Sequence, residues 1–585
     1  MKKFLESRLN TAAVLVAIVI LAALFRLYGM NWDQNQHLHP DERFMTMVTQ
    51  AVKKPSSFAQ YLSPDKSPLN PYNAGYDFFV YGTLPLKIVK FASTYINFDK
   101  FSYNNVTLVG RLLSAIVDIG VVLIIFKVGQ KTLGKLTGIL SSFLYAISTL
   151  PIQLSHFYAV DPYLVFFTTF SFYLLVLLIE GEINTTRRIK TAIGYSLLLG
   201  VCFGLALASK ISALLFTPVV LLGLAFMFLK KRDVLQTATY LLLIVISTYL
   251  SFRLADPRAF SDANFLNAKL NANFISNITQ LKSFSNPNSL FPPSVQWIKT
   301  KPLLFPFKNI ILWGLGLPLG IIATAAVIYT LTKILFSLKH LKKLKDEQIY
   351  KTLIIFWILS LFFYQGTQFV KTMRYFYPIY PFLAIVSADY LLIFSKKAKQ
   401  IIKSRFFLFT IYSITLLLLL IWPLSFVSIY SRPHTRVSAS KWIYENIPPG
   451  STLSCEHWDD CLPLSLEGKS HSLYEIETLE LYNPDTQTKW VKINKQLENI
   501  DYLILSSNRL WESIPKVPER YPVASEFYKN LFSSELQFTK IAEFASYPTL
   551  KIGYWKLKIP DDRAEEAFSV YDHPKVIIFK QITDQ

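Results

Sequence analysis

Apolar residues recur along the chain in runs long enough to cross a lipid bilayer as helices. A membrane-spanning helix needs about 20 consecutive apolar residues. Eleven such runs alternate with polar segments, two of which are long. The runs cover residues 10–28, 107–127, 136–155, 158–180, 191–208, 211–229, 235–254, 309–335, 351–369, 375–394 and 405–427. This pattern predicts a polytopic α-helical membrane protein with about 11 transmembrane helices.

One cluster of lysine and arginine residues precedes the first apolar run, and further clusters lie in every second segment between runs. Cytoplasmic loops are enriched in these residues, so the clusters predict a cytoplasmic N-terminus. The long polar segments 29–106 and 255–308 are then predicted to lie on the extracytoplasmic side of the plasma membrane. No small-residue cleavage site follows the first run, so we expect it to be retained. The clusters are Lys2, Lys3 and Arg8; Lys127, Lys131 and Lys135; Arg187, Arg188 and Lys190; Lys230, Lys231 and Arg232; Lys339, Lys342, Lys343 and Lys345; and Lys396, Lys397, Lys399, Lys403 and Arg405.

The pattern changes after residue 430. Ser438–Asn446 has the spacing of an amphipathic helix, and short strands are predicted at 452–455, 502–506, 554–559 and 576–580. We therefore predict a catalytic membrane domain over 1–430 and a small extracytoplasmic α/β domain over 431–585. On an oxidising face Cys455 and Cys461 either form a disulfide or remain thiols, and the sequence leaves both readings open.

Composition excludes two other classes of protein. Hydrophobic residues make up 52% of the chain and charged residues 17%, whereas soluble domains carry about 25% charged residues. The net charge of +21 would suit nucleic acid. However, the cations are divided among the loops and do not form one basic face, so no nucleic-acid partner is expected.

The first candidate for chemistry is an acidic pair directly after the first run. Asp41 and Glu42 follow Pro40, which suits the start of a helix, where the helix dipole favours negative charge. A carboxylate at such a position, beside a low-dielectric cavity, is also well placed to act as a general base.

Other charged residues are predicted at the same membrane face. His156 and Asp161 occupy the turn before the fourth run, and Asp161 followed by Pro162 also fits an ordinary helix start. Three cations, Arg111, Lys210 and Arg374, are expected near the same level. Singly, each cation suits a headgroup contact or a buried ion pair. Together they would hold a phosphate, while a carboxylate deprotonates an acceptor hydroxyl.

An ordered set of short motifs resembles the GT-C superfamily of polyprenyl-phosphate-sugar glycosyltransferases. The likeness is greatest to the protein O-mannosyltransferase and aminoarabinose-transferase branch (family 39), and it extends over about residues 1–395. The motif residues are His39, Pro40, Asp41 and Glu42; Tyr81, Gly82, Thr83, Leu84 and Pro85; Gly110, Arg111, Leu112 and Ser114; Ser155, His156, Phe157 and Asp161; Ala208, Ser209 and Lys210; and Arg374, Tyr375, Pro378 and Pro381.

The resemblance implies a GT-C fold and inverting transfer of a sugar from a polyprenyl-phosphate donor to a hydroxyl acceptor. It implies Asp41 as the catalytic carboxylate with Glu42 beside it, and Asp161 as a second acidic position. The donor-phosphate side is assigned to Arg111, Lys210, Arg374 and His156. The acceptor is a hydroxyl on a glycan, a lipid or a protein, and membrane lipids surround the spans.

Two points stay open at this stage. Some members of the superfamily hold a divalent metal on outer-loop carboxylates and others do not, so no cofactor is required, and Asp41, Asp161 and His156 are the residues that would hold a metal. The alternative function is a transporter or flippase of lipid-linked sugars. Such proteins usually show internal repeats and charges at mid-membrane, whereas here the charges lie at the rim.

Overall fold

The computed structural model describes residues 8–96, 102–180, 186–288, 291–337 and 345–582. Within these ranges, ten helices are long and apolar enough to cross a membrane. An eleventh span is formed if the helix pair Lys135–Ala146 and Thr149–Ser155, bent by 59°, is counted as one. The predicted multi-pass helical architecture is confirmed. Lys2, Lys3, Lys339, Lys342 and Lys343 lie outside the described residues.

The helices follow the predicted apolar runs closely. The membrane helices are α1 (Arg8–Leu27), α5 (Tyr103–Leu133), α6 (Lys135–Ala146), α7 (Thr149–Ser155), α8 (Asp161–Glu180), α9 (Thr186–Ser209), α10 (Thr217–Lys231), α11 (Val234–Ala255), α14 (Leu317–Ser337), α15 (Asp346–Thr367), α16 (Tyr380–Ile401) and α17 (Arg405–Val427). Their buried faces share one apolar core, and their other faces expose leucine, isoleucine and phenylalanine as lipid-facing helices do.

Both long polar segments carry short helices. The first contains α2 (Pro40–Ala51), α3 (Phe58–Leu62) and α4 (Thr83–Tyr95), and the second contains α12 (Ala272–Ser283) and α13 (Leu304–Asn309). The two long polar segments are hydrogen-bonded to each other. The buried Arg258 guanidinium of the second segment donates to the carbonyl oxygens of Phe79 and Tyr81 in the first, each at 2.8 Å. The backbone at Tyr81 is therefore fixed by a residue far along the chain.

The C-terminal part folds around a five-stranded mixed sheet with the order β2-β1-β3-β7-β4. The strands are β1 (Thr452–Glu456), β2 (Glu475–Leu479), β3 (Tyr502–Leu505), β4 (Phe538–Phe544), β5 (Thr549–Ile552), β6 (Trp555–Lys558) and β7 (Val576–Gln581). Its helices are α18 (Thr435–Asn446), α19 (Gln487–Asn499), α20 (Pro522–Phe532) and α21 (Glu566–Ser569). β1 pairs in parallel with β2 and β3, and β7 pairs antiparallel with β3 and β4.

The C-terminal domain is joined to the membrane domain by buried polar contacts. The Gln153 amide donates to the Asp572 carboxylate at 3.0 Å, and the Tyr430 hydroxyl donates to the same carboxylate at 3.0 Å. Cys455 and Cys461 form a disulfide, which resolves the alternative that the sequence left open. The loop that it closes carries Asp460.

Candidate active site

The site is built on the first turn of α2. His39 is the N-cap residue, and its Nδ1 accepts a hydrogen bond from the Glu42 backbone N–H at 3.4 Å. Burial and the nearby Arg374 lower the pKa of His39, to about 4 despite the opposing charge of Asp41, so the ring is neutral and can accept. Pro40 fills the first helical position. At the start of this helix, the Asp41 side chain points toward Arg374 and the adjacent Glu42 side chain points toward Arg111.

Asp41, Asp161, Arg374 and Lys210 form one ion cluster, which we call the open cluster. Arg374 Nη1 donates to Asp41 at 2.6 Å, and Arg374 Nε donates to Asp161 at 2.8 Å. Lys210 Nζ donates to the other oxygen of Asp161 at 2.8 Å. The Asp41 side chain is 37% exposed, whereas that of Asp161 is 2% exposed. Asp41 is thus the carboxylate that a second molecule can reach.

The surroundings of Asp41 keep it ionised. Burial would raise the pKa of this carboxyl, but the charge of Arg374 outweighs it, and the pKa lies below its usual value. The Tyr81 hydroxyl also bonds to Asp41. Burial and the charge of Asp41 raise the pKa of Tyr81 well above its usual value, so this phenol is a donor at neutral pH.

Glu42 belongs to a second ion cluster, which we call the sealed cluster. Arg111 donates to Glu42 at 2.5 and 2.9 Å and to Asp33 at 2.8 and 3.1 Å. Glu42 also accepts from the Tyr158 backbone N–H at 2.8 Å. All three charged side chains are at most 1% exposed. The arrangement ties the first loop to α5 and leaves no open approach to Arg111 or Glu42.

His156 lies apart from the open cluster. Its Nδ1 is 2.8 Å from the Ile152 carbonyl oxygen, its Nε2 is 2.9 Å from the Tyr28 carbonyl oxygen, and its ring stacks on Tyr430 at 3.9 Å. These contacts fix the turn between α7 and α8.

The donor set does not fit a divalent metal as the sequence suggested. Both ring nitrogens of His156 already face carbonyl oxygens, and Arg374 stands between Asp41 and Asp161. Across the described ranges, no group of three histidine, cysteine, aspartate or glutamate side chains is placed to hold a metal ion. No step below therefore uses a metal.

Several residues that shape the site had no assigned role from the sequence. Tyr81 bonds to Asp41, and Asp33 completes the sealed cluster. Tyr571 of the C-terminal domain packs against His39, with ring centroids 4.2 Å apart and ring planes tilted by 38°. Glu565 accepts from the Thr372 hydroxyl at 2.7 Å and from the Met373 backbone N–H at 2.9 Å. Tyr81 stood in a motif quoted above, whereas the contacts of Tyr571 and Glu565 depend on how the domains dock.

Part of this chain is similar to a known family of glycosyltransferases. Residues 79–255 match the model of the dolichyl-phosphate-mannose-protein mannosyltransferase family. Among curated proteins, none matches this chain significantly in sequence. The matched segment contains Tyr81, Arg111, Asp161 and Lys210.

Solved structures share the fold at low sequence identity. The oligosaccharyltransferase of Archaeoglobus fulgidus, tethered to an acceptor peptide, superposes with a TM-score of 0.56 at 12% identity, covering 95% of this chain and 76% of that one. The same archaeal enzyme, AglB, with an inhibitory peptide and a dolichol-phosphate gives a TM-score of 0.52 at 12% identity, covering 94% and 76%. ArnT of Cupriavidus metallidurans, bound to undecaprenyl phosphate, gives 0.43 at 10% identity, covering 98% of both chains.

The fold and the family match define a class. The chain is a multi-pass membrane protein with the fold of a GT-C glycosyltransferase, and part of it matches a mannosyltransferase family model. The resemblance inferred from the ordered motifs is thereby confirmed.

Proposed function

We propose that this glycosyltransferase transfers a sugar from a polyprenyl-phosphate donor to a hydroxyl acceptor, with inversion at the anomeric carbon. The observation that carries the proposal is the open cluster. It offers one accessible, ionised carboxylate, Asp41, beside two partly exposed cations, Arg374 and Lys210. The family match and the dolichol-phosphate bound to AglB support this class of donor.

In the proposed reaction Asp41 is the general base. It removes the proton from the acceptor hydroxyl as the oxygen attacks the anomeric carbon, and the bond from that carbon to the phosphate oxygen breaks. One displacement inverts the configuration, and the polyprenyl phosphate leaves with the bonding electron pair. The transition state resembles an oxocarbenium ion, so a base on one side and cations at the leaving phosphate are the required elements.

The two cations of the open cluster have different proposed roles. Arg374 is held by Asp41 and Asp161 together, which orients the base. Lys210 has one contact to Asp161, and its ammonium lies 4.9 Å from the centre of the Tyr375 ring, so its remaining N–H groups are available to a phosphate. Arg111 and His156 are buried and already bonded to other protein groups. We infer that they hold the structure around the site and do not contact the donor.

We also infer the placement of the reaction. The distribution of lysine and arginine favours a plasma-membrane location with the open cluster and residues 431–585 on the extracytoplasmic side. Residues 1–430 would then form the catalytic membrane domain. The acceptor is a hydroxyl on a glycan, a lipid or a protein.

The test is sugar release from radiolabelled polyprenyl-phosphate sugars by purified protein in proteoliposomes. Wild type and Asp41→Asn are assayed side by side with a panel of donors and acceptors. Turnover by the wild type alone supports the donor class and the base together. If labelled lipid crosses the bilayer without any sugar release, the transferase proposal is wrong and a flippase is favoured.

A further inference from the structure

A separate two-stranded hairpin projects from the C-terminal domain. β5 (Thr549–Ile552) pairs only with β6 (Trp555–Lys558), and a two-residue turn of Gly553 and Tyr554 joins them. Gly553 has a φ of +57°, which glycine adopts without a steric penalty. The hairpin is therefore a well-formed unit outside the five-stranded sheet.

The register gives this hairpin two different faces. Directly paired residues of an antiparallel hairpin lie on the same face, and the faces alternate along each strand. Leu550 pairs with Leu557 and Ile552 pairs with Trp555, which makes one face apolar. The other face carries Thr549, Lys551, Lys556 and Lys558.

The apolar face has little protein covering it. Ile552 is 66% exposed, Trp555 is 82% exposed and Leu557 is 47% exposed, and Tyr554 at the turn is fully exposed. Clustered exposed apolar side chains of this size mark an interaction surface, because leaving them in water is unfavourable.

The hairpin lies beside the last membrane helix. The Thr549 backbone N–H donates to the Ser428 hydroxyl at 3.0 Å, and Ser428 directly follows α17 (Arg405–Val427). β5 also packs against α17 itself. α17 exposes a lipid-facing row that includes Leu417 and Leu424. The hairpin therefore lies against a membrane helix that exposes apolar side chains to lipid.

The lysine face suits anionic headgroups. Lys551 and Lys556 are both exposed, and within the described ranges neither is paired with a carboxylate. Lys558 lies over the Tyr547 ring at 4.3 Å. The two acidic residues that follow β6 closely in sequence have other partners, since Asp562 pairs with Lys575 and Asp561 with His573. Aromatic residues together with lysines are typical of the membrane–water interface.

We propose that residues 549–558 are an interfacial membrane anchor that binds anionic phospholipid. The Ile552, Trp555 and Leu557 side chains enter the boundary between headgroups and acyl chains, while Lys551 and Lys556 bind lipid phosphates. The anchor holds the C-terminal domain against the membrane domain, where Tyr571 and Glu565 contact the site. This binding is independent of sugar transfer.

The test labels the turn of the hairpin in the full-length protein. Cys202, the free cysteine among the described residues, is first replaced by alanine so that it does not react with the label. In this Cys202→Ala background, Tyr554→Cys carries an environment-sensitive fluorophore. Val491→Cys, which is 65% exposed on α19, is the matched control. In nanodiscs containing phosphatidylglycerol, we expect a blue shift and several-fold stronger quenching by headgroup-level spin-labelled lipid at 554 than at 491.

Two further variants separate the contributions of the two faces. Trp555→Ser with Ile552→Ser should abolish the shift, and Lys551→Glu with Lys556→Glu should remove its preference for anionic over zwitterionic lipid. Equal, water-like emission at positions 554 and 491 in anionic nanodiscs would overturn the proposal. A shift that occurs only when an acceptor peptide is added would also overturn it, in favour of a protein-docking surface. Thermal unfolding of each variant checks that the domain is folded.

Discussion

Arg374 and Arg111 each bind two carboxylates, and the two clusters that they form have different properties. Arg374 joins Asp41 to Asp161 in the open cluster, and Arg111 joins Glu42 to Asp33 in the sealed cluster. The open cluster contains an additional cation, Lys210, and leaves Asp41 37% exposed, whereas the sealed cluster is buried completely. We therefore infer that similar charges serve reactivity in the open cluster, which a ligand can enter, and structural stability in the sealed cluster, which it cannot.

The comparison also separates two neighbouring residues. Asp41 and Glu42 are adjacent on the first turn of α2, and successive helical residues project about 100° apart. The turn therefore directs Asp41 toward Arg374 and Glu42 toward Arg111. Asp41 is expected to dominate activity, and the sealed cluster is expected to dominate stability.

The largest expected effect is on catalysis at Asp41. Asp41→Asn removes the proposed base, and loss of general-base catalysis lowers kcat by about 100- to 10,000-fold. Folding should be unaffected, because Asn keeps the size of the side chain at a partly exposed position. Initial rates with saturating donor give the measurement, and Asp65→Asn, at an exposed position in the same loop, is the control. If folded Glu42→Gln lost as much activity as Asp41→Asn, the division between the clusters would fail.

Arg111 should give the largest effect on stability. Arg111→Ala leaves Asp33 and Glu42 buried without their cation, and removing one partner of a buried pair costs about 3–5 kcal/mol. The expected result is a lower apparent Tm and a lower yield of folded protein in detergent. Reaction of the buried Cys202 with a thiol-reactive dye on heating reports the unfolding. A Tm equal to that of the wild type would show that the sealed cluster is dispensable.

How far the sequence led can be judged from the same residues. Hydropathy and charge placed Asp41, Asp161, Lys210 and Arg374 at one membrane level, and the structure brings them into contact. Burial of Glu42 could not be predicted, because it depends on the docking of α2 against α5. The partner Asp33 was missed for the same reason.

The C-terminal domain shows a second limit. Strands with consecutive apolar residues, such as β3 and β7, were predicted close to their observed bounds. β2 (Glu475–Leu479) and β4 (Phe538–Phe544) were missed because they are edge strands with several exposed charged residues. β5 was missed because it is short and pairs only with β6. Local pattern therefore identifies central strands better than edges.

Arg374→Ala is expected to change both donor binding and pH dependence. Loss of one cation beside the proposed site of the leaving phosphate should raise the donor KM by about tenfold, equivalent to about 1.4 kcal/mol. Because Arg374 lowers the pKa of Asp41, its removal should also move the acidic limb of the kcat profile to higher pH. Lys210→Ala is the control for the pH profile alone. It should also raise the donor KM, but it should leave the acidic limb in place, since Lys210 contacts Asp161 and not Asp41. A raised KM with an unmoved acidic limb would mean that Arg374 does not tune the base.

The smallest expected effect lies where the C-terminal domain contacts the segment that precedes Arg374. Glu565 is buried and accepts from Thr372 and Met373, immediately before Arg374. Burial raises the pKa of Glu565 to about 7 against these hydrogen bonds, from an ordinary value of about 4.5. Between these two pH values the folded protein retains a proton that the unfolded chain has lost. The contribution of Glu565 to stability is therefore fully present below pH 4.5 and is lost as the pH rises through 7.

Glu565→Gln isolates this contribution. The glutamine carbonyl can still accept from Thr372 and Met373 but does not titrate. We expect the Tm of the wild type to fall relative to that of Glu565→Gln as the pH rises from about 4.5 to about 7, because every other titrating group is common to both proteins. The difference between the two Tm curves, measured in one detergent, is the readout. Parallel curves across this range would show that Glu565 stays ionised when buried. The contact between the C-terminal domain and the segment before Arg374 would then not depend on pH.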